Sequence, residues 1–268
     1  MKFNNTIKSI AIGSFDGIHI AHKTLIDQVD ALVIIERNGG YLTPGYKRAS
    51  FTDKMCCFYH FDVLKHLTPE TFVERLQTDF PQLGRIVVGY DFRFGKDKAG
   101  NAQVLKALFD HEVIIVDEVS IQGIPVHSRT IKAYLKEGNI QMANVLLGRK
   151  YHIEGTVVKG QGLGKKELVP TINLKIQSYQ LPQEGVYATR TQIDGYWFDS
   201  VSFLGHRVTT DDSFAVETHI LDKELGEVKG VIRLAFTAHI RENQKFDSLE
   251  TLKQQIEADI EKVKECLT

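Results

Sequence analysis

The stretch Ala11–Ile26, AIGSFDGIHIAHKTLI, decides how this chain is read. An apolar run, SIAIG, ends in Gly13-Ser14-Phe15-Asp16-Gly17, and His19 and His22 follow where a helical pattern begins near Ile20. A strand, a glycine-rich turn and a helix N-terminus together form an anion site, because free backbone N–H groups and the positive end of the helix dipole face one point. Gly13 and Gly17 permit close backbone approach and unusual φ. Residues three apart share one side of a helical turn, so both imidazoles can donate to phosphoryl oxygens, where charge builds up in phosphoryl transfer. The same pair could bind a metal, though no third ligand stands near it, or could simply be solvated at a helix end.

Outward from that stretch, apolar runs alternate with helical patterns as far as Leu147. ALVIIE (Ala31–Glu36), MCCFYHF (Met55–Phe61), RIVVGY (Arg85–Tyr90) and EVIIVDEV (Glu112–Val119) read as strands. Helices are expected after Pro69, near Ala102–Phe109, at Ser128–Lys136 and at Ile140–Leu147, the last two meeting at a Gly138-Asn139 stop. Short continuous apolar strands separated by helices mean a parallel sheet covered on both faces. After Gly148 the texture becomes strand-rich, with Asp194-Gly195 as a hairpin turn. The chain closes on an amphipathic helix carrying Leu249, Leu252, Ile256, Ile260, Val263 and Leu267, with Asp247 and Glu250 spaced as a capping box. The expected fold is therefore an α/β domain with a parallel sheet, followed by a small antiparallel β domain with one C-terminal helix. Each part is expected to carry its own core and to be separable near Gly148-Arg149.

Composition bounds the function. At 268 residues and 43% apolar, the chain can fill one large core or two small ones. A formal charge of −1 gives no electrostatic reason to expect nucleic acid or an anionic membrane. Three cysteines, two of them adjacent (Cys56, Cys57), do not form a disulfide framework and point to a reducing compartment. With no signal-peptide pattern and no membrane-length run, a soluble, cytoplasmic protein is expected.

The strand-rich half has chemistry of its own. In SFAVETHIL, alternation places Phe214, Val216 and Ile220 on one face and Glu217 and His219 on the other, where a carboxylate on a fixed strand can take a hydroxyl proton. Thr171 and Asn173 share a face and offer hard oxygen ligands of the kind Mg²⁺ takes. GQGLGKK (Gly160–Lys166) is not a P-loop: its spacing is one short, Lys166 replaces the Ser/Thr, and Pro170 blocks a following helix. A glycine-rich flap carrying lysines over phosphates remains open.

These stretches resemble one family in order. Gly13–His22, GSFDGIHIAH, resembles the G-x-F-D-G-x-H-x-G-H motif of nucleotidylyltransferases, specifically the flavin adenylyltransferase half of bacterial bifunctional FAD synthetases. Val87–Asn101 resembles the second block of that family, and Leu135–Gly160 the helix–helix–linker–strand joining its modules. Val169–Leu174, VPTINL, resembles the P-T-x-N motif of riboflavin kinase. Glu184–Ala188, Val216–Leu221 and Ile240–Ile260 match its remaining blocks. The resemblance implies an FMN adenylyltransferase domain over 1–148, an α/β parallel-sheet fold of nucleotidylyltransferase-like (Rossmann-like) type, and a riboflavin kinase domain over 149–268, a small antiparallel β-barrel with a C-terminal helix. It implies ATP as co-substrate of both steps, riboflavin, FMN and FAD as substrates or products, and Mg²⁺ as cofactor.

Its site residues carry over by position. In the first half, His19 and His22 act on the phosphates, Gly13, Ser14, Phe15, Asp16, Gly17, Ser128, Arg129 and Lys132 hold ATP, and Asp91 and Phe92 hold flavin. In the second, Glu217 is the base, Gly160, Gly162, Gly164, Lys165 and Thr171 hold ATP, Thr171 and Asn173 the metal, and Arg241 and Phe246 the flavin. Departures are visible: Ala21 replaces a glycine, Leu168-Val169 precedes Pro170, and Phe203-Leu204-Gly205-His206-Arg207-Val208-Thr209 lacks the Asn and Pro of N-I-G-x-x-P-T. Where the family carries I-S-S-T-x-I-R, this chain reads Val126-His127-Ser128-Arg129-Thr130-Ile131-Lys132. Ser128 is expected to cap that helix, and Arg129 with Lys132 to stand in for the missing arginine. Two alternatives stay open: a kinase with a non-catalytic adenylyltransferase-like half, and a flavin- or nucleotide-binding sensor without catalysis.

Overall fold

The computed structural model describes residues 6–37, 41–160, 169–207 and 212–267. It divides into two compact units between Ser128 and Arg129.

The first unit begins with β1 (Ser9–Gly13), α1 (Ile20–Ile26), β2 (Ala31–Glu36), a 3₁₀ turn over Gly45–Phe51 and β3 (Met55–His60). There follow α2 (Phe61–Leu64), α3 (Pro69–Asp79), β4 (Arg85–Gly89), the small pair β5 (Arg93–Phe94) and β6 (Gly100–Asn101), α4 (Ala102–Leu108) and β7 (Glu112–Val116). The hairpin β8 (Ser120–Ile121) and β9 (Ile124–Pro125) ends the unit. The five main strands form a parallel sheet in the order β3-β2-β1-β4-β7. Its residues are buried on both faces, as a sheet flanked by helices requires. Ile10, Ile12, Val33, Ile86 and Val88 pack with Phe72 and Leu76 of α3 and Leu105 of α4. Ala11, Leu32, Ile34 and Val87 pack with Leu25 and Ile26 of α1. Thr68 caps α3, with Pro69 as its first residue, and Asn101 caps α4. The run EVIIVDEV is strand only to Val116, where its partner β4 ends at Gly89; the chain then turns through Gln122 and Gly123, both at positive φ. Phe61 opens α2 rather than closing β3.

The second unit opens with α5 (Ser128–Lys136), whose first residue belongs to the first unit, and α6 (Ile140–Leu147). Gly138, at φ +72°, ends α5, and the Asn139 side chain caps α6. The strands β10 (His152–Val158), β11 (Ile172–Ile176), β12 (Gly185–Ile193), β13 (Tyr196–His206), β14 (Phe214–Ile220) and β15 (Val231–Glu242) close an antiparallel barrel in the order β10-β11-β14-β13-β12-β15. Asp194 and Gly195, both at positive φ, make the hairpin turn between β12 and β13. Closure removes every sheet edge. The interior holds a layer of buried hydroxyls, Thr189, Thr191, Ser200, Ser202 and Thr218, bonded to one another at 2.7–3.1 Å.

Helix α7 (Leu249–Leu267) lays Ile260, Val263 and Leu267 against Ala188 and Leu221. Its cap is Ser248, whose hydroxyl accepts the Thr251 N–H, and not the expected Asp247. A hydroxyl one residue closer to the helix reaches the free N–H without lengthening the turn. Helix α6 packs against β15, and Asn144 ties the two together: its amide donates to the Phe236 carbonyl and its oxygen accepts the Tyr151 N–H.

Candidate functional site

The first unit brings two of the quoted stretches to one place. Strand order steps from β1 outward to β2 and β3, then returns to β4 on the other side of β1. Ligands of open α/β sheets bind outside the carboxyl ends of the strands at such a switch point. Ala11 pairs with Val87, so Gly13 and Gly89 end their strands at the same level. Ser14–His19 leaves one, and Tyr90-Asp91-Phe92 the other.

The turn after β1 is wound tightly. Phe15 (φ +48°), Gly17 (φ +91°) and Ile18 (φ +41°) all lie in the left-handed region. For Phe and a β-branched Ile this backbone is strained and persists only where the surroundings over-determine it. They do so here: Phe15 and Ile18 are fully buried in the α1 side of the core. Buried Asp16 accepts the Thr43 N–H on Oδ1 at 3.1 Å, and its carbonyl accepts the Ser128 hydroxyl at 2.7 Å. Ser128 therefore donates to the turn instead of capping α5, as expected above; it lies inside the helix, where its hydroxyl cannot cap the N–H groups that follow.

His19 is the N-cap of α1, its Nδ1 accepting the His22 N–H at 3.3 Å, which leaves the proton of the neutral ring on Nε2. The two rings stack at 3.5 Å between centroids, 16° from parallel. One ligand can therefore meet both from one side.

Beyond β4, Asp91 is exposed while Phe92 is buried and stacked on Phe94. Tyr90 belongs to a cluster that the sequence reading missed. Its hydroxyl donates to Glu118 Oε1 at 2.5 Å, and His127 Nε2 lies 3.3 Å from that hydroxyl and 3.2 Å from Glu118. The Tyr90 hydroxyl, then His127, holds the Glu118 carboxyl below its ordinary range. On α5, Arg129, Lys132, Ala133 and Lys136 line one open hollow of about 400 Å³. Arg129 and Lys132 thus share a helix face, as their spacing predicts, and Lys136 shares it one turn on.

The second site is set by barrel register. Asn173 of β11 lies opposite Glu217 of β14, and Phe203 of β13 faces Glu217 from the other side. Arg207, just past β13, joins them. Its Nη2 donates to Asn173 Oδ1 at 2.7 Å and to Glu217 Oε1 at 2.5 Å, its Nε to the same Glu217 oxygen at 2.8 Å, and its Nη1 to Ser213 Oγ at 2.8 Å. His219 Nδ1 lies 2.8 Å from the Pro170 carbonyl, which can only accept, so that nitrogen carries the proton and pins the segment leading to Thr171. Arg207 was missed as part of a site, and His219, though it shares a strand face with Glu217, was given no role, because only the closed barrel brings Arg207 to Asn173 and Pro170 to His219. Val216 and Ile220 are buried as alternation predicts, but Phe214 is exposed at the strand end, edge-on to His206.

Of the expected nucleotide flap, Gly162, Gly164 and Lys165 lie outside the described residues, as do Val208 and Thr209. Gly160 is described: a Cβ there would collide with the Asn173 amide, so glycine leaves that side chain its place. Arg241 Nε donates to both carboxylate oxygens of buried Asp259, at 3.0 and 2.9 Å, and its guanidinium lies 5.6 Å from the Phe246 ring centre, so the pair expected to hold flavin is assembled against α7.

Whether these groups suit a divalent cation is a matter of donor type. Among the described residues no cluster of three or more His, Cys, Asp or Glu could cage a metal. Asn173 and Thr171 supply neutral hard oxygens, one of them already turned toward a cation. That donor set fits Mg²⁺ carried mainly on nucleotide phosphates.

Comparison with known proteins covers both units. Residues 147–267 match the riboflavin kinase family and residues 48–130 the FAD synthetase family. The chain is 28% identical to a bifunctional riboflavin kinase/FMN adenylyltransferase of Pseudomonas fluorescens, over 93% of this chain and 89% of that one. It is equally identical to the protein of that name from Mycoplasma pneumoniae, over 94% and 95%. A crystal structure described as a macrolide-efflux protein of Streptococcus pneumoniae superposes with a TM-score of 0.84 at 25% identity, covering 97% of this chain and 95% of that one. Efflux is the name of that protein; among the described residues of this chain no helix is long and apolar enough to cross a membrane.

Proposed function

From the premise that the chain belongs to the bifunctional riboflavin kinase/FMN adenylyltransferase family, we propose how its two halves make FAD. The chain phosphorylates riboflavin with ATP to give FMN, then transfers the adenylyl group of a second ATP to FMN, releasing pyrophosphate. The reading assigns the first step to residues 149–268 and the second to 1–148.

For the kinase step, the observation that carries the reading is Glu217 held across from Asn173 on adjacent strands. Both guanidinium bonds to Glu217 fall on Oε1. Oε2 is then the oxygen that takes the proton of the riboflavin 5′-hydroxyl as the hydroxyl oxygen attacks the γ-phosphorus, the bond from that phosphorus to the bridging oxygen breaks, and ADP leaves. Thr171 and Asn173 would hold Mg²⁺, which supplies neutralisation of the phosphate charge. Arg241 and Phe246 bound the flavin side, and Gly160 leaves the Asn173 side chain its place.

For adenylyl transfer, an FMN phosphate oxygen attacks the α-phosphorus and pyrophosphate leaves. His19 and His22 donate to the phosphoryl oxygens from the wound turn. Gly13–Gly17 gives backbone access, and Ser128 fixes that turn through Asp16. Arg129 and Lys132 hold the leaving pyrophosphate together. A lysine lacks the bidentate fork of arginine, and Arg129 restores it three residues earlier. Asp91 lies on the flavin side.

Incubation with riboflavin and Mg-ATP, with products resolved by chromatography, tests the whole reading. FAD supports both steps. FMN alone limits activity to the kinase, and unchanged riboflavin overturns the reading.

A further inference from the structure

We propose that Arg207 is an internal cation of the kinase site, which holds the general base and a metal ligand together and, through its bond to Asn173, opposes binding of the metal–nucleotide complex. The inference rests on the kinase reading of Glu217 and Asn173 and concerns what that reading leaves unexplained: a guanidinium in the middle of the site.

The geometry is specific. One nitrogen, Nη2, bonds both Asn173 Oδ1 and Glu217 Oε1, while Nε returns to Glu217 and Nη1 is anchored on Ser213. The backbone fixes the same corner, since the Arg207 N–H donates to the Ser213 carbonyl and the Asp212 N–H to the Arg207 carbonyl. The Arg207 and Glu217 side chains are only 18% and 21% exposed, so their attraction is less screened than at an open surface. The Asn173 oxygen in contact with Arg207 faces a donor that cannot be deprotonated. The Asn173 oxygen has two lone pairs, so a hard dication could reach only the one that Arg207 leaves, and there the guanidinium 2.7 Å from the same oxygen repels it. Nucleotide and its metal therefore bind more tightly once this bond is released. The Glu217 bonds, anchored through Ser213, can persist while that exchange occurs. Arg207 is thus a positioning residue for Glu217 and a competitor for Asn173.

The two roles make opposite demands on one variant. In Arg207→Ala, Asn173 is free and Mg·ADP should bind about fivefold more tightly or better, the low end of ordinary coupling between sites. The Mg²⁺ concentration for half-maximal rate should fall in parallel, while the turnover of riboflavin phosphorylation drops because Glu217 has lost its anchor. Arg207→Lys, which keeps charge without the fork, should recover part of the turnover and lie nearer wild type in Mg·ADP affinity. Calorimetric titration of the full chain with Mg·ADP reads the first effect independently of catalysis. Binding weakened in Arg207→Ala would make Arg207 a phosphate ligand and overturn the proposal, as would unchanged binding. A folded wild-type chain that binds no Mg·ADP and phosphorylates no riboflavin overturns the kinase reading itself, and the proposal with it. Circular dichroism of each variant separates these outcomes from failure to fold.

Discussion

The two candidate sites are built by different means. In the first unit the site is made of backbone: a turn forced into the left-handed region and held by Phe15, Ile18, Asp16 and Ser128, with two imidazoles added at a helix cap. In the second unit it is made of side chains whose positions follow from strand register, Asn173 opposite Glu217 and Arg207 reaching both. A backbone site is written locally, because turn residues and spacing occur in one run of sequence. A register site is written across the chain, because Asn173 and Glu217 are joined only when the barrel closes. The first should therefore fail by distortion of one turn, and the second by loss of a single charged group.

The sharpest test of that difference is Glu217→Gln. FMN formation should fall about 10²–10⁴-fold, the usual range for a general base, while conversion of supplied FMN to FAD stays near wild type. Loss of both activities would mean that the sites are not independent. Next in size is truncation. Ile140, Leu146 and Leu147 of α6 are fully buried, and each large aliphatic side chain contributes about 1.5–3 kcal/mol on burial. Asn144 adds bonds to Phe236 and Tyr151. A fragment of residues 149–268 loses all of these, whereas 129–268 keeps them. Thermal unfolding should show the shorter fragment a few kcal/mol less stable, with kinase activity retained best by the longer one. Equal stability of the two would show that the helix pair is not needed by the barrel.

On the first site, His22→Ala should lower FAD formation from FMN by about 10²–10³-fold, the cost of one donor to a developing charge. Arg129→Ala and Lys132→Ala should each lose roughly tenfold, as expected when one charge-assisted bond of about 1.5 kcal/mol or more is removed. Riboflavin phosphorylation should not change in any of the three. If both cation variants match wild type while His22→Ala is inactive, the leaving group is held by something other than α5.

These contrasts also explain what the sequence could show in advance. Closure of the strands into a barrel was implied only by the family resemblance, since it joins strands far apart in the chain. The parallel sheet, the strand-rich second half, and α5 and α6 were legible because apolar period and glycine stops are local signals, and His19 with His22 stood out for the same reason. Arg207 was not: it lies past the end of β13, ten residues from Glu217 in the chain, and nothing in FLGHRVT marks its guanidinium as turned toward β11. The Tyr90–Glu118–His127 cluster escaped likewise, since three loops must converge to form it. Ser128 and Asp247 were given capping roles from spacing alone. Capping depends on which side of the first helical residue the oxygen falls, and a shift of one position reassigned both.

The smallest effect tests whether the two units can be perturbed separately at all. Asp30 pins the start of β1: its Oδ2 accepts the Lys8 N–H at 3.1 Å, the Ser9 N–H at 3.0 Å and the Ser9 hydroxyl at 2.8 Å. The Ser9 hydroxyl is the main reason its carboxyl is held below the ordinary value; partial burial opposes this, and the two backbone N–H groups add to the lowering. A carboxyl lowered in the folded state contributes stability that is present above its unfolded value of 3.8 and lost as pH falls through the folded one. The contribution is therefore complete at neutral pH and disappears only in acid. Asp30→Asn should remove about 1 kcal/mol at neutral pH, discounted by solvent screening at an exposed site. Read by hydrogen exchange, amides of β1 and β2 should open faster in the variant, and the difference should vanish below the folded pKa. Barrel amides should exchange at the wild-type rate throughout. Faster exchange in β10–β15 would show that the units share their stability, and the independence of a turn-built and a register-built site would then have to be argued from chemistry alone.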